Sequence, residues 1–274
     1  MTGLEFQDKL KADRAFGDCR TVVFVQCVGS RIAERPYCSK VCCTQSIKSA
    51  LDLKSIYPEL DIFILYRDLR SYGLREDLYR EARDRGIKFV RYNSERGLTV
   101  GTADNGLEIS FTDRVLRRPM VISSDLLILA SAIVAQKNNP LAQLYKVSQN
   151  DDGFFAEAHV KLRPNDFATD GVFVCGLAHA PKPICESISQ SQAAASRAVT
   201  VLSSLELSVS GMVALTDPNF CSRCGVCISV CPYSAPKFND QTGKAEIQAT
   251  LCKGCGLCAA SCLSLIHISE PTRR

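Results

Sequence analysis

Cysteine is the residue type through which this sequence could do chemistry, because twelve of its 15 cysteines fall into three tight groups. The groups are Cys27, Cys38, Cys42 and Cys43; Cys221, Cys224, Cys227 and Cys231; and Cys252, Cys255, Cys258 and Cys262. Grouped thiols in a long chain indicate metal binding, whereas secreted disulfide scaffolds are usually short and use cysteines throughout. Because ligating thiolates need a reducing compartment, the sequence predicts a cytoplasmic protein.

The second and third groups share the spacing Cx2Cx2Cx3C, and Pro232 follows the first of these runs. In bacterial two-cluster ferredoxins, three cysteines of such a run ligate one 4Fe-4S cluster and the fourth ligates the other. The predicted ligand sets are therefore Cys221, Cys224, Cys227 and Cys262 for one cluster, and Cys252, Cys255, Cys258 and Cys231 for the second. A pair of zinc sites is the alternative, but zinc sites usually separate their cysteine pairs by a dozen or more residues.

The first group fits neither a zinc nor a ferredoxin template. Cys27 ends a strand-like run and the other three cysteines enter the next helix, where a dinucleotide-binding unit places its glycine-rich turn. No GxGxxG motif occurs in that turn. Adjacent helical residues point about 100° apart, so Cys42 and Cys43 can both ligate only if the helix begins there. The residues leave three interpretations open: a third cluster, a redox thiol pair, or small buried core cysteines.

The elements that must position these thiols follow an alternating pattern. Short β-branched runs predict buried strands, amphipathic helices between them end before Tyr57 and at Gly86, and a longer helix is predicted from about Glu186 to Leu205. The predicted strands cover 21–26, 61–66, 87–90, several segments of 98–121, 125–129 and 171–175. Alternating strands and helices predict an α/β fold with a doubly wound sheet.

The composition changes sharply near Gly211. The remaining eight grouped cysteines all lie after this residue. The sequence thus predicts a partial FAD/NAD(P)-binding-like domain over 1–210, which carries the first cysteine group, and a two-cluster ferredoxin domain over 211–262. A hairpin is predicted between the two ferredoxin runs, from 237–238 and 245–247. Cys19, Cys175 and Cys185 stand alone and are predicted to be small buried hydrophobic residues.

Charge and hydropathy argue against a nucleic acid partner, a membrane span and a secretion signal. The 33 Lys and Arg residues against 29 Asp and Glu leave a net charge of +4, which is spread along the chain and argues against a nucleic acid partner. The longest uncharged apolar run, 126–135, is half the roughly 20 residues that a membrane-spanning helix needs. Residues 1–10 lack the apolar core of a signal peptide, so neither a membrane span nor a secretion signal is predicted.

Together these residues resemble the A subunit of heterodisulfide reductase, the flavin-containing iron-sulfur component of methanogens and of related bacterial complexes. The segments that carry the resemblance are 26–31, 37–43, 47–50, 65–73, 153–155, 171–178 and the two ferredoxin runs. The resemblance spans residues 3–262. It favours a third 4Fe-4S cluster, of unusual spacing, at Cys27, Cys38, Cys42 and Cys43.

The resemblance also implies a thioredoxin-reductase-like flavoprotein fold that binds FAD in the full-length protein. The family's first FAD motif has no counterpart here, so the chain is expected to be a C-terminal fragment that retains FAD weakly. Its second FAD motif corresponds to 171–178, with Gly171, Gly176, Leu177 and Ala178 as candidate FAD contacts and Leu177 in place of the usual Asp. Without the family, the same residues are simply a core strand and a turn.

The end of the sequence departs from the ferredoxin pattern. Cys262 is followed by Leu263, where the first run has a proline, and residues 264–273 resemble a translated sequencing-adaptor tail. Residues 263–274 are therefore predicted to be artefactual and to pack against nothing.

The resemblance implies an electron-transfer subunit of a cytoplasmic, heterodisulfide-reductase-type complex, an oxidoreductase acting on sulfur groups. FAD in the complete protein would split electron pairs from a hydrogenase or dehydrogenase partner between ferredoxin and a disulfide-reducing subunit. Two alternatives are a nicotinamide-dependent disulfide oxidoreductase and a non-enzymatic ferredoxin-type electron carrier or cluster scaffold. His179 and Lys182 would lie near the flavin, and Arg67 and Arg70 are expected at the surface or shielding a cluster.

Overall fold

The structure is a computed structural model that describes residues 1–12, 16, 18–103, 106–136, 139–206, 212–264 and 267–271. Its chain divides into two compact units. The first comprises Met1–Asn138, Gln149–Glu157 and Val174–Ala194, and the second comprises Asn139–Ser148, Ala158–Phe173 and Ala195–Arg274. The predicted domain boundary at 210–211 lies outside the described residues and stays a prediction.

A four-stranded parallel sheet forms the centre of the first unit. Its strands are β1 (Thr21–Val28), β2 (Asp61–Tyr66), β3 (Lys88–Arg91) and β7 (Leu126–Ser131), and they lie in the order β3-β2-β1-β7. The connecting helices are α2 (Cys42–Ile56) and α3 (Glu76–Asp84), and α1 (Gly3–Ala12) precedes β1. This arrangement confirms the predicted α/β fold built on a parallel sheet.

Both faces of the sheet are buried, as the continuous apolar runs require. Val22 and Phe24 of β1 face the core that α1 and α2 complete with Phe6 and Ile47. The alternate residues of β1 face a second core. An antiparallel sheet covers this second face, and its strands are β4 (Leu98–Ala103), β5 (Gly106–Thr112) and β6 (Pro119–Ser124). The predicted strands within 98–121 are therefore present, while residues 104 and 105 of the predicted turn lie outside the description.

One prediction after β7 needs correction. Residues 171–175 do not form a strand: Phe173 makes one isolated bridge with Asp166, and the Val172 carbonyl accepts from the Phe167 N–H to close a tight turn. Gly171, at φ +76°, has the left-handed conformation that suits a turn rather than a strand. The short helix α4 covers Pro140–Leu144, and the predicted long helix is present as α5 (Ile184–Leu202).

The ferredoxin segment, residues 212–262 of the second unit, has two similar halves. Strand β8 (Met212–Thr216) is followed by the short helix α6 (Val226–Val230), the hairpin of β9 (Pro236–Phe238) with β10 (Ala245–Ile247), and the short helix α7 (Leu257–Ala260). Phe238 pairs with Ala245, which confirms the predicted hairpin. The ferredoxin segment has a small buried core, formed by Ala214, Cys227, Ala245 and Cys258.

The prediction that residues 263–274 pack against nothing is wrong. The backbone of β11 (His267–Pro271) pairs with β8 in antiparallel register, and the Ser264 hydroxyl donates to the Ser222 hydroxyl over 3.0 Å. Pairing of this kind needs only an exposed strand edge with free N–H and C=O groups, so it requires no side chains selected for the contact. The adaptor origin of the tail stays a prediction.

Within the described ranges, no helix combines the length and apolar character needed to cross a membrane.

Candidate iron-sulfur sites

Each ferredoxin run enters its short helix through a glycine in the left-handed conformation. Gly225 precedes α6 with φ +74°, and Gly256 precedes α7 with φ +76°. Gly254 is held in the same conformation, and a Cβ there would lie 2.7 Å from the Met212 carbonyl oxygen. These turns place Cys227 and Cys258 at equivalent, buried positions in the first turns of the two helices.

The eight cysteines of the ferredoxin segment surround two separate cavities. One is lined by Cys231, Cys252, Cys255 and Cys258. The other is lined by Cys221, Cys224, Cys227 and Cys262. In each cavity the fourth thiol comes from the opposite run, which is the grouping that the crossed ligand sets require.

Four thiols around one cavity are the donor set of a 4Fe-4S cluster, so the residues present fit this cofactor. Each thiolate of such a set binds a different iron, and the ligands need not converge on one point. Among the described residues, no three potential metal-binding side chains lie close enough to hold a single ion.

The thiols differ in how readily they lose a proton. Hydrogen bonds from the Val226 N–H and the Ser222 hydroxyl hold the pKa of Cys224 below its ordinary value. Burial raises the pKa of Cys227 and of Cys258. Because iron binds the thiolate, binding must release a proton from the two buried thiols.

The first cysteine group lies at the carboxyl end of the parallel sheet. The pairing of β1 with β7 is interrupted between Val25 and Val28, and Cys27 in this interruption has a left-handed φ of +61°. Helix α2 begins at Cys42, with Val41 as its N-cap residue. The condition under which Cys42 and Cys43 could both ligate a metal is therefore met.

The four thiols of the first group lie near one another, close enough that the other three influence the pKa of Cys42. Burial is the main reason that the pKa of Cys42 is raised to about 11, and the nearby Cys43 contributes to the shift. Burial also raises the pKa of Cys43, and Cys27 and Cys38 are close enough to add to this shift. All four thiols are free; Cys43 is buried and the other three are half-buried.

Polar atoms without partners flank the first group. Gln26 is 1% exposed, yet neither polar atom of its amide has a hydrogen-bond partner among the described residues. The same holds for Nη1 of Arg31 and for the hydroxyl of Thr44. Buried polar groups are nearly always hydrogen-bonded, so these atoms fit a site that receives a further polar or charged group.

The candidate FAD contacts are only partly brought together. Gly176, Leu177 and Ala178 form one 3-10 turn in the first unit, whereas Gly171 belongs to the second unit. Leu177, which replaces the family's Asp, is half exposed.

A half-buried polar network, in which Lys182 is buried, holds this turn. Gln190 accepts from the Gly176 N–H over 2.9 Å and from Nζ of Lys182 over 2.6 Å. His179 joins Lys182 (3.0 Å) to Glu157 (2.8 Å) through its two ring nitrogens. Lys182 is 8% exposed, and burial lowers its pKa. The sequence pointed to His179 and Lys182 but gave no signal for Gln190 or Glu157, which contact them across 8 and 22 residues.

Replacing Gln190 by Leu should lower the free energy of unfolding by about 1–3 kcal/mol, because Lys182, which is buried, and the Gly176 N–H would lose the half-buried acceptor that they share. Urea unfolding would measure the change. Gln192→Leu, on the exposed face of the same helix, is the matched control and should have little effect. Equal losses in the two variants would show that the network does not hold the turn.

Only part of the expectation for the isolated cysteines is met. Cys19 and Cys175 are half-buried, but Cys185 is exposed, with Nη2 of Arg75 2.9 Å from its sulfur. The prediction that Cys185 is buried is therefore wrong. It lies in the first turn of α5, and an isolated cysteine carries no periodicity that would show which face of a helix it occupies.

A comparison with known protein domains agrees with the two cysteine-lined cavities of the ferredoxin segment. The 4Fe-4S dicluster domain matches residues 214–263. The cavities and this match define an iron-sulfur protein in which a two-cluster ferredoxin domain follows an α/β domain. The chain belongs to the family of the heterodisulfide reductase A subunit.

Three relatives show the extent of the match. The chain is 39% identical over 230 residues to the second iron-sulfur A subunit of the CoB–CoM heterodisulfide reductase of Methanopyrus kandleri, covering 82% of the chain and 35% of that protein. It is 39% identical to a protein of Archaeoglobus profundus that is like the heterodisulfide reductase A subunit (80% and 32% covered). It is 36% identical to the A subunit of the H2:CoB-CoM heterodisulfide,ferredoxin reductase of Methanothermobacter thermautotrophicus (79% and 33% covered). The chain thus spans about a third of the length of these relatives.

Among solved structures, the thioredoxin reductase of T. acidophilum superposes with a TM-score of 0.45 at 11% identity, covering 67% of this chain and 53% of that one.

Proposed function

We propose that this chain is the electron-transfer part of a heterodisulfide-reductase-type complex, an oxidoreductase acting on sulfur groups. It holds two 4Fe-4S clusters in the ferredoxin segment and a third at the first cysteine group. The observation that carries the proposal is the division of eight cysteines between two cavities, four to each, with Cys231 and Cys262 exchanged between the runs.

The residues of the chain hold the clusters and set their surroundings, while the clusters supply one-electron transfer when bound. Cys231 and Cys262 each reach the cavity of the other run, so the two halves of the ferredoxin segment are tied together through both sites. Cys227 and Cys258 keep one side of each cavity buried. Burial and backbone N–H groups near the sulfur atoms are the means by which such a domain tunes potential.

In the first unit, the carboxyl end of the parallel sheet is the usual ligand site of an open α/β fold. Here β1 leads into Cys27 and α2 begins at Cys42, so this position carries thiols in place of a glycine-rich phosphate turn. That arrangement favours a cluster over the nicotinamide-dependent alternative. We place FAD, in the full-length protein, at the turn of Gly176, Leu177 and Ala178.

The proposed partners are further heterodisulfide reductase subunits, a hydrogenase or dehydrogenase that donates electrons, and ferredoxin. The names of two relatives support this assignment, since one includes H2 and ferredoxin and another begins with ferredoxin. A cytoplasmic location follows from the reducing conditions that twelve ligating thiolates require.

Reduced ferredoxin should transfer electrons to the anaerobically reconstituted chain. Stopped-flow absorbance spectroscopy would measure this transfer as bleaching of the cluster absorbance. A variant with both Cys231→Ser and Cys262→Ser, which removes one thiol from each cavity, should lose most of this bleaching. Absence of any electron transfer to a chain with full iron content would contradict the relay. Full transfer without any flavin absorbance would favour the non-enzymatic carrier for this polypeptide.

A further inference from the structure

Arg31 lies in the loop after Cys27 and is fixed at several points. Its backbone has a left-handed φ of +58°, its N–H donates to the Tyr37 carbonyl, and its own carbonyl accepts from Nη1 of Arg67 over 2.7 Å. Its guanidinium donates through Nη2 to Asp68 over 2.8 Å. The side chain is 23% exposed, so both the backbone and the head group are held in place.

Asp68 is the residue that holds the guanidinium. One carboxylate oxygen accepts from Arg31, and the other accepts from Nη2 of Arg91 over 2.6 Å. These hydrogen bonds, that from Arg31 first, keep the pKa of Asp68 below its ordinary value. The Asp68 carbonyl is also the acceptor that faces the Cys43 thiol at 3.9 Å. Asp68 thus forms ion pairs with Arg31 and Arg91 and also contacts the first cysteine group through Cys43.

The same guanidinium lies close to the Cys27 side chain. The hydrogen bond with Asp68 is the first reason that the pKa of Arg31 is raised above its ordinary value, and the nearby Cys27 adds to the shift. Yet Nη1 of Arg31 is buried and has no hydrogen-bond partner in the described part of the chain. A charged donor is rarely buried without an acceptor, because its desolvation is then uncompensated.

We propose that Arg31 donates hydrogen bonds to the sulfur atoms of the cluster bound by the first cysteine group and raises its reduction potential, with Asp68 as the positioning residue. This inference rests on the proposed function, because it requires the third cluster. Reduction adds one electron and one negative charge to the cluster, and no bond is broken. A fixed positive charge and N–H donors near the sulfurs stabilise the reduced form more than the oxidised form.

An anaerobic redox titration followed by electron paramagnetic resonance tests the role of Arg31. Arg31→Gln should lower the midpoint potential of the third cluster and leave those of the two ferredoxin clusters unchanged, while Arg31→Lys should restore part of the loss. Arg85→Gln removes an equal charge from an ion pair with Glu81 at the end of α3, and should shift nothing. An unchanged potential in Arg31→Gln, or an equal shift in Arg85→Gln, would overturn the proposal.

The sign of the shift in Asp68→Asn separates positioning from simple charge. Loss of a nearby negative charge alone would raise the potential, whereas release of Arg31 should lower it. A lowered potential supports the positioning role, and a raised or unchanged one overturns it. This variant keeps Arg31 itself and carries the test if Arg31→Gln fails to retain iron.

The iron content separates failure of this inference from failure of the proposed function. A wild-type chain with about eight irons would contradict the third cluster itself, and this inference with it. A chain with about twelve irons, and with the same third-cluster potential in Arg31→Gln, would refute only the role of Arg31.

Discussion

Replacing Cys262 by Ser should destroy the cluster held by Cys221, Cys224 and Cys227, although Cys262 belongs to the other run. The reason is geometric: Cys262 lines the cavity of the first run and is absent from the lining of the second. Loss of one thiolate of four should remove about four irons per chain and the corresponding electron paramagnetic resonance signal. The signal of the cluster at Cys252, Cys255 and Cys258 should persist.

The reciprocal variant gives the strictest control for the crossed arrangement. Cys231→Ser should spare the cluster of its own run and damage the one at Cys252, Cys255 and Cys258. Cys185→Ser, which changes an exposed thiol outside every group, should leave the iron content unchanged. If Cys262→Ser instead removed the cluster of its own run, each run would bind its own cluster and the crossed ligand sets would be wrong.

Replacing Cys42 by Ser should lower the iron content of the anaerobically reconstituted chain from about twelve to about eight per chain. Cys42 and Cys43 begin α2 together, close to Cys27 and Cys38, so one missing thiolate leaves three for a cluster that needs four. The ferredoxin signals should be unaffected, because Cys42 belongs to the first unit. Iron analysis and electron paramagnetic resonance on the same sample measure both quantities.

Two substitutions make the result specific. Cys38→Ser should have the same effect as Cys42→Ser, whereas Cys19→Ser, at an isolated thiol that packs against the core, should keep about twelve irons. Unchanged iron in both Cys38→Ser and Cys42→Ser would identify the first group as a redox thiol pair or as core cysteines. The electron relay would then end at the ferredoxin segment.

The sequence predicted what depends on local pattern. Strands β1, β2 and β7 carry largely continuous apolar runs because both faces of the sheet are buried there, and β1 and β2 begin where the pattern predicts. The spacing of the ferredoxin cysteines likewise predicts the grouping observed around the two cavities. These features are encoded over a few residues, so a single sequence is enough to recognise them.

The features that the sequence could not predict depend on distant contacts. Residues 171–175 have the composition of a strand, but Phe173 finds only a single bridge partner in place of a neighbouring strand. The support of Arg31 by Asp68 joins residues 37 positions apart, and no local pattern in either segment predicts this contact. The pairing of β11 with β8 likewise depends on a free strand edge that appears only in the folded chain.

The proposed function requires that one chain bind three 4Fe-4S clusters. A stoichiometric reductive titration under anaerobic conditions tests for these clusters directly. The reconstituted chain should take up about three electrons, one per cluster, with three signals distinguishable by potential in electron paramagnetic resonance. The third signal should be absent from Cys42→Ser. Uptake of only about two electrons by a chain that has all fifteen cysteines would contradict a cluster at Cys27, Cys38, Cys42 and Cys43.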